Sequence, residues 1–204
     1  MKIRSILAGS MLVFATAVLT SQVVKPTNQP SPNSAELQAV EKKWAAYATP
    51  NEHHKVLEAK IGRWNNTLKF WTDATSAPDE SKCISEFAWA MDGRYVTDHT
   101  SGMTPRGRFE GMGYSGYDNL KNKYVSVWID NTLSGIMYFE GTYDAKTKIF
   151  TYASETPDVE AGKYVKNRWT EKWVSPDKSV AESFVAGKDG REFKCFEVTY
   201  ERAK

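Results

Sequence analysis

The side chains that could take part in catalysis or metal binding are few and scattered. The chain contains three histidines, His53, His54 and His99. On a helix, His53 and His54 would diverge by about 100°, so they could not hold one metal ion comfortably. His99 follows Asp98, but neighbours on a strand point to opposite faces and form no catalytic pair. The sequence therefore predicts no metal site and no catalytic residues. It also has no Gly-rich phosphate loop, nucleophile elbow or Cys-x-x-Cys motif.

Charged residues inside predicted strands are the second group of candidates. Five carboxylates have aromatic neighbours there: Asp130, Glu140, Glu171, Glu182 and Glu197. Arg168 could form a structural ion pair with one of them inside a barrel, where an unpaired charge is costly. Alternatively, its forked donors could bind an anionic group of a ligand.

One predicted strand has two faces of different character. Strand alternation groups Tyr124, Ser126, Trp128 and Asp130 on one face, opposite Val125, Val127 and Ile129. The aliphatic face is expected to be core. The other face mixes aromatic rings with hydroxyl and carboxylate groups, which is typical of a cavity lining. We predict that this face lines the interior and that Trp128 and Arg168 contact whatever binds there.

The elements that would position these residues are mostly strands. After Gly62, about ten short runs rich in strand-forming residues are separated by turn signals such as Asp92-Gly93 and Pro176-Asp177. Residues 111–144 are predicted to form three successive antiparallel strands. Near-regular strand spacing favours a closed antiparallel β-barrel over a curled sandwich. We therefore predict a mainly β fold, with about ten strands in a single domain of residues 34–204.

Two short α-helices are predicted before the first strand. Ser34 is a candidate N-cap for the first, whose apolar stripe, expected to pack on the sheet, consists of Leu37, Val40, Trp44 and Tyr47. In the second, Thr49, Pro50 and Glu52 fit a capping box, and Gly62 is a C-terminal stop. His54 is expected on the apolar side of this helix, either as a packing residue or as a ligand contact.

The first 33 residues resemble an export signal and a linker. Residues 1–21 contain Lys2 and Arg4, then an apolar run, and end in small residues, which is typical of a secretory signal. A membrane anchor is the alternative, although the apolar run is short for a span. Three prolines among polar residues predict a disordered linker over 22–33.

Removal of the signal also changes the charge. The formal net charge is +2, and loss of Lys2 and Arg4 brings it to zero because residues 1–21 contain no acid. A neutral domain has no electrostatic attraction for nucleic acid. We expect a periplasmic or secreted protein with no nucleic-acid partner and no stable membrane anchor after cleavage.

Short motifs between residues 49 and 202 together resemble the bacterial domain-of-unknown-function family numbered 1579. They are TPNEHHKVLEAKIGRW, Gly93-Arg94, FEGMGYSGYDN, YVSVWIDN, GIMYFEGTYD and FEVTYER. The family is thought to form a lipocalin-like, calycin-type barrel, so the resemblance implies that fold, while the family's biochemical role is not established. Family positions and the interior face together give the candidate ligand-binding residues His54, Tyr117, Tyr124, Trp128, Asp130, Arg168 and Glu197.

Two functions of different classes fit these observations. We prefer a module that binds a hydrophobic or amphipathic small molecule, because no set of nucleophile, base and orienting group can be assembled. The alternatives are an enzyme that uses His54, Asp130 or Glu197 as acid or base, and a haem protein with His54 or His99 as axial ligand. The ligand, any cofactor and the oligomeric state stay open.

The two cysteines, Cys83 and Cys195, are predicted to lie on an early strand and on the last strand. A closed barrel could bring these strands together, and an exported protein meets oxidising conditions that favour a disulfide. Separate burial as two free thiols is the alternative. We predict that they are close enough to bond.

Overall fold

The computed structural model describes residues 33–187 and 189–204. The predicted signal of residues 1–21, and the predicted linker up to residue 32, lie outside the described residues and stay predictions. Within the described ranges, no helix is long and apolar enough to cross a membrane.

The described chain folds into a short helical segment followed by a closed sheet. The helical segment comprises α1 (Ser34–Ala48), α2 (Glu52–Val56) and a 3₁₀ helix (Leu57–Lys60), with a break at residues 49–51. The strands are β1 (Gly62–Phe70), β2 (Asp79–Ala90), β3 (Tyr95–Thr104), β4 (Gly107–Asp118), β5 (Lys123–Asp130), β6 (Met137–Asp144), β7 (Ile149–Asp158), β8 (Lys163–Ser175), β9 (Lys178–Ala186) and β10 (Glu192–Arg202).

Each strand pairs antiparallel with its sequence neighbours, and β10 pairs with β1 to close the sheet. This arrangement confirms the mainly β fold, the closed barrel and the number of strands. The three strands predicted within residues 111–144 correspond to the second half of β4, β5 and β6.

Closure gives every strand one inner and one outer face, because side chains alternate. On β5, Tyr124 is buried among core residues, and the face that it shares with Trp128 is the inner one. The aliphatic face of Val125, Val127 and Ile129 is the outer surface, where Ile129 is 47% exposed. The expectation that this face is core is therefore wrong, since a barrel has one interior and no second layer covers β5.

The helical segment closes one end of the barrel. Leu57 of the 3₁₀ helix is completely buried against side chains from three strands, namely Val96, Tyr124, Phe150 and Tyr152. Full burial of such a side chain contributes about 1.5 to 3 kcal/mol. α2 and the 3₁₀ helix therefore act as a plug, and any ligand must enter elsewhere.

α1 differs from its prediction in two respects. Its N-cap is Asn33, whose Oδ1 accepts a hydrogen bond from the Glu36 backbone N at 2.9 Å, rather than Ser34. Its apolar stripe does not pack on the sheet: α1 has no buried residue, and Trp44 is 52% exposed. Asn119 holds only the C-terminal end, through Nδ2 donation to the carbonyls of Tyr47 and Thr49, each at 2.9 Å.

The cap of α2 also differs from its prediction. Asn51 is the N-cap, and its side chain accepts from the His53 backbone N at 3.0 Å. Thr49 instead ends α1, where its hydroxyl donates to the Ala45 carbonyl at 2.6 Å. His54 takes the place of the usual acidic residue in the capping box, because its Nδ1 accepts from the Asn51 backbone N at 3.1 Å.

Candidate functional site

Three of the candidate ligand residues belong to the plugged end of the barrel. Tyr124 is 3% exposed, and its hydroxyl donates to the His53 carbonyl at 3.1 Å. Tyr117 stacks on the His53 ring with centroids 4.4 Å apart. His54 is buried, its Nδ1 caps α2, and burial, followed by the nearby His53, lowers its pKa. The contacts of these side chains join α2 to the barrel wall.

Arg168 and Glu197 lie on the outer face. Arg168 Nη2 is 2.8 Å from Glu192 Oε2, and the guanidinium lies 4.0 Å from the centre of the Phe184 ring. Glu197 accepts a hydrogen bond from Lys194, which also contacts Glu182 at 3.1 Å. The predicted interior position of Arg168 is therefore wrong, because its neighbour Trp169 takes the inward position on β8.

Trp128 and Asp130 lie on the inner face of β5, towards the end opposite α2. Trp128 Nε1 donates to Asp130 Oδ2 at 2.8 Å, and Asp130 Oδ1 accepts from the Thr132 backbone N at 2.8 Å. The indole lies against Gly111 and Gly113 of β4, and a Cβ on Gly111 would overlap the ring. These two glycines leave room for the indole against the wall, so its other face is turned to the interior.

Aromatic side chains from several strands surround this part of the interior. We call them the aromatic layer: Phe109, Trp128, Phe139, Trp169 and Phe196. Trp169 lies 5.9 Å, centroid to centroid, from both Phe139 and Phe196, and Phe109 lies parallel to Trp128 at 6.5 Å. Every member is half-buried, so each keeps surface that a small molecule can contact.

A chain of polar side chains crosses the inner faces of β1, β2 and β3. Asn66 Nδ2 donates to Ser85 Oγ at 2.6 Å, the Ser85 hydroxyl contacts Thr100 Oγ1, and Thr100 Oγ1 donates to Asp98 Oδ1 at 2.8 Å. Each hydroxyl has one proton and a carboxylate only accepts, so donation runs from Asn66 to Asp98. We call Asn66, Ser85, Thr100 and Asp98 the polar chain. At its other end, Asn66 Oδ1 is buried without a partner in the described structure.

Two further charged groups lie near Asp98. Lys60 of the plug forms a buried ion pair with Glu171 of β8. Burial raises the pKa of Asp98 to about 6, against the opposing effects of the Thr100 hydrogen bond and nearby Lys60, while Glu171 raises it further. Beside the plug, the interior therefore holds two carboxylates, Glu171 and Asp98, and one ammonium group, whereas Asp130 lies towards the opposite end.

Comparison with known proteins identifies the family of this chain. The family described as a protein of unknown function, DUF1579, matches residues 49–202. The chain belongs to this family. No curated protein matches it.

Two solved structures resemble this family member, and both are redesigned β-barrels. The first has a TM-score of 0.37 at 12% identity and covers 74% of this chain and 95% of its own. The second, mFAP1 bound to DFHBI, has a TM-score of 0.36 at 14% identity and covers 74% of this chain and 100% of its own. Likeness at these scores carries no argument, so the lipocalin-like comparison stays a prediction.

Two cavities in this family member are lined by residues of β1 and its neighbours. A groove of about 450 Å³ lies mainly along β1, β2 and β3, and its lining combines Lys82 and Glu201 with Asn66 of the polar chain. A space of about 10 Å³ lies among inner-face residues beside Lys60 and Trp173, and the Trp173 Nε1 is buried without a partner in the described structure. We place the candidate site in the interior, because the aromatic layer and the polar chain both lie on inner strand faces.

The sequence interpretation missed four polar interior residues and dismissed a fifth. Asn66, Ser85, Thr100 and Lys60 were not singled out, and Asp98 was considered only as a partner for His99, whose side chain lies outside beside Glu110. Strand parity was the available signal. Asp98 and Thr100 lie two and four residues after Val96, which is 1% exposed. Strand alternation therefore places all three side chains on the inner face of β3.

Cys83 and Cys195 are both free thiols. They lie on β2 and β10, with β1 between these strands, so they are at least two strand spacings, about 10 Å, apart. They are also offset along the strands, because Cys83 pairs with Asn66 of β1 whereas the Cys195 carbonyl accepts from the Trp71 backbone N. A disulfide requires Cα atoms within about 7 Å. The predicted bridge is therefore not formed, and burial raises the pKa of both thiols. Within the described ranges, no group of three histidine, cysteine or acidic residues could hold a metal ion.

Proposed function

We propose that this chain binds a small amphipathic molecule inside its barrel, in a lipocalin-like manner. The apolar part of the ligand would contact the aromatic layer, and its polar part would reach the polar chain. The proposal includes export by the predicted signal, so that binding takes place in a periplasm or outside the cell. It includes neither a nucleic-acid partner nor a membrane anchor after cleavage.

The observation that carries the proposal is the incomplete burial of the aromatic layer. Trp128, Trp169 and Phe139 are inner-face residues of a closed barrel, yet all three are half-buried. In a filled core they would be nearly inaccessible, as Phe150 and Trp64 are at 0% and 1% exposure. Accessible aromatic surface beside a few fixed polar groups is typical of small-molecule sites.

The unpaired polar atoms support the same interpretation. A buried acceptor without a hydrogen bond costs about 1 to 3 kcal/mol. Asn66 is 2% exposed and its Oδ1 has no partner in the described part of the chain. A ligand group that donates to this oxygen would remove that cost on binding.

Catalysis by the residues first considered has less support. His54 Nδ1 is occupied by the cap of α2, and Glu197 is paired with Lys194 on the outer face. Asp130 accepts hydrogen bonds from Trp128 Nε1 and the Thr132 backbone N. The interior carboxylate best suited to a general base is Asp98, because burial raises its pKa to about 6. Turnover that survives Asp98→Asn would exclude Asp98 from this role.

The test compares the binding of Nile red, a neutral apolar dye, to three folded proteins. Trp128→Ala removes one wall of the aromatic layer and should weaken binding by about fivefold or more, because tens of Å² of apolar contact are lost. Trp44→Ala removes the same side chain from exposed α1 and should leave affinity unchanged. Circular dichroism must show both variants folded. Equal affinity in all three proteins would contradict interior binding.

A further inference from the structure

We infer that the polar chain selects a positively charged head group, so that the ligand is an amphipathic amine. This inference rests on the proposed function, because it names the chemistry of the molecule that would occupy the same interior. Three independent features support it: the charge balance, the direction of the hydrogen bonds and the position of Trp128.

Beside the plug, the interior carries one more negative charge than positive charge. Lys60 is committed to Glu171, and their side chains are only 10% and 9% exposed. Asp98 has no Lys, Arg or His nitrogen within 4.0 Å of its carboxylate in the described structure. An uncompensated carboxylate inside a protein is unfavourable, and a ligand cation would compensate it.

The hydrogen bonds leave acceptors without donors. The protons of Asn66 Nδ2, Ser85 and Thr100 are directed along the chain towards Asp98 Oδ1. Asn66 Oδ1 has no partner, and Asp98 Oδ2 accepts no hydrogen bond from any described side chain. A ligand must therefore bring donors. An ammonium group brings three, whereas a carboxylate brings none and adds a third negative charge.

Trp128 places an aromatic ring beside the same carboxylate. Asp98 of β3 pairs with Gly113 of β4, and Gly113 pairs with Trp128 of β5. Gly113 has no side chain, and the Trp128 ring covers it, with Cε3 3.1 Å from the position that a Cβ would occupy. A carboxylate and an aromatic ring therefore lie next to each other on the inner face, with no side chain between them. Both attract an organic cation.

Asp98 also keeps accessible surface. Although it lies deep within the barrel, where burial raises its pKa, the residue is half-buried rather than fully enclosed. The remaining surface is turned to the interior, since Asp98 shares strand parity with Val96 and Thr100. A head group would therefore approach this carboxylate from the interior.

The experiment ranks three ligands of equal chain length by displacement of Nile red from the full chain at pH 8. They are decylammonium, decanol and decanoate, used below their micelle-forming concentrations. We expect decylammonium to bind about tenfold or more tighter than decanol, because hydrogen bonds between charged groups are stronger than those of a neutral hydroxyl. Decanoate should bind most weakly.

Variants then assign the preference to Asp98. Asp98→Asn keeps the shape and the Thr100 hydrogen bond, so it should lower decylammonium affinity to that of decanol. Glu192→Gln removes a carboxylate from the outer face, where it pairs with Arg168, and should leave the ranking unchanged. If Asp98→Asn does not fold, the ranking on the unmutated protein still decides.

The outcomes separate this inference from the proposed function. Equal affinity for decylammonium and decanol, tighter binding of decanoate, or failure of decylammonium to displace bound Nile red would overturn the amine assignment. An unchanged ranking in folded Asp98→Asn would overturn the role of Asp98. If folded protein binds neither Nile red nor any of the three ligands, the proposed function itself fails.

Discussion

Asp98 is a carboxylate inside a barrel that offers it one hydrogen-bond donor and no cation of its own. Several charged or titratable groups surround it: Lys60 on the plug, Glu171 on β8, Tyr200 on β10 and His99 beside it on β3. Burial is the largest influence and raises its pKa from 3.8 to about 6. A group kept in so unfavourable a state is typical of a functional site rather than of a structural one.

The raised pKa gives a testable dependence of stability on pH. Between about pH 4 and 6, the folded state holds the Asp98 proton more tightly than the unfolded state does. The contribution of Asp98 to the free energy of unfolding therefore falls as pH rises through this window, and it stays lower above it. A shift of about two pKa units corresponds to at most about 3 kcal/mol. Asp98→Asn avoids this cost, so it should be more stable than the unmutated protein at pH 8 and similar at pH 4.

Urea unfolding at pH 4 and pH 8 measures this difference. Asp92→Asn is a matched control, because the Asp92 side chain is 98% exposed and its change should not alter the pH dependence. A loss of stability in Asp98→Asn at pH 8 would mean that the ionised carboxylate is a net stabilising group. The gain in stability would accompany loss of the amine preference, which is the usual trade between stability and function.

At the residue scale, sequence predicts which side chains share a face but not which face is inside. Tyr124, Ser126, Trp128 and Asp130 were grouped correctly by alternation and lie on the inner face. Arg168 was placed inside because a charge among aromatic residues resembles a ligand contact. Its register opposite Ala153 and Phe184 assigns it to the outer face, and register depends on strand pairing that one sequence does not display.

At the scale of elements, the plug is attached to the barrel by polar as well as apolar contacts. Lys60 ends the 3₁₀ helix, and its ion pair with Glu171 reaches the inner face of β8. The same ammonium lies 5.5 Å from the centre of the Phe150 ring. The plug therefore brings the only described interior ammonium to the floor of the candidate site.

We expect the two single substitutions in this pair to differ. Lys60→Met leaves Glu171 and Asp98 buried with no cation, so it should lower the free energy of unfolding by about 3 to 5 kcal/mol. Glu171→Leu should cost less, because Lys60 can then compensate Asp98. The double variant should be more stable than Lys60→Met alone, since it removes one uncompensated carboxylate.

A double-mutant cycle in urea measures the coupling between Lys60 and Glu171. The pair Lys178 and Glu201 is the control, because these side chains are 42% and 60% exposed and a pair of this kind contributes about 0 to 1 kcal/mol. Equal effects of the two single substitutions, with no coupling, would show that the plug is held by apolar packing alone.

Sequence predicted that helices precede the barrel, but not how they attach to it. The stripe on α1 has helical spacing, yet α1 packs on no strand and its stripe is exposed. The N-caps of α1 and α2 lie one and two residues from their predicted positions, because Asn33 and Asn51 cap these helices instead of Ser34 and Thr49. Local signals of this kind fix a helix end only to within a few residues.

At the scale of the whole molecule, turn signals and strand spacing sufficed to predict a closed barrel. They did not predict the relation between Cys83 and Cys195. Both lie near the seam where the sheet closes, as expected, but β1 passes between their strands. Only the complete strand order shows whether two residues near the seam lie on neighbouring strands or have another strand between them.

One side chain at the end of β10 adds contacts across the seam where the barrel closes. Arg202 Nη1 donates to the Ile61 carbonyl at 2.8 Å, and Nη2 donates to the Ala59 carbonyl at 3.1 Å. Its Nε donates to Asp177 Oδ1 at 2.9 Å, and the guanidinium lies 4.2 Å from the centre of the Trp64 ring. Arg202 thus joins the last strand to the plug, to the turn before β9 and to β1.

We expect Arg202→Ala to lower the free energy of unfolding by about 2 to 3 kcal/mol, because several charge-assisted hydrogen bonds and one cation–π contact are lost together. Arg202→Lys should recover less than half of this loss, since an ammonium group cannot reproduce the planar fork. Arg191→Ala, where the side chain is 89% exposed, should change the value by less than about 0.5 kcal/mol. Urea midpoints measure all three variants, and a loss in Arg202→Ala no larger than in Arg191→Ala would mean that the strand ladder between β1 and β10 closes the barrel without this side chain.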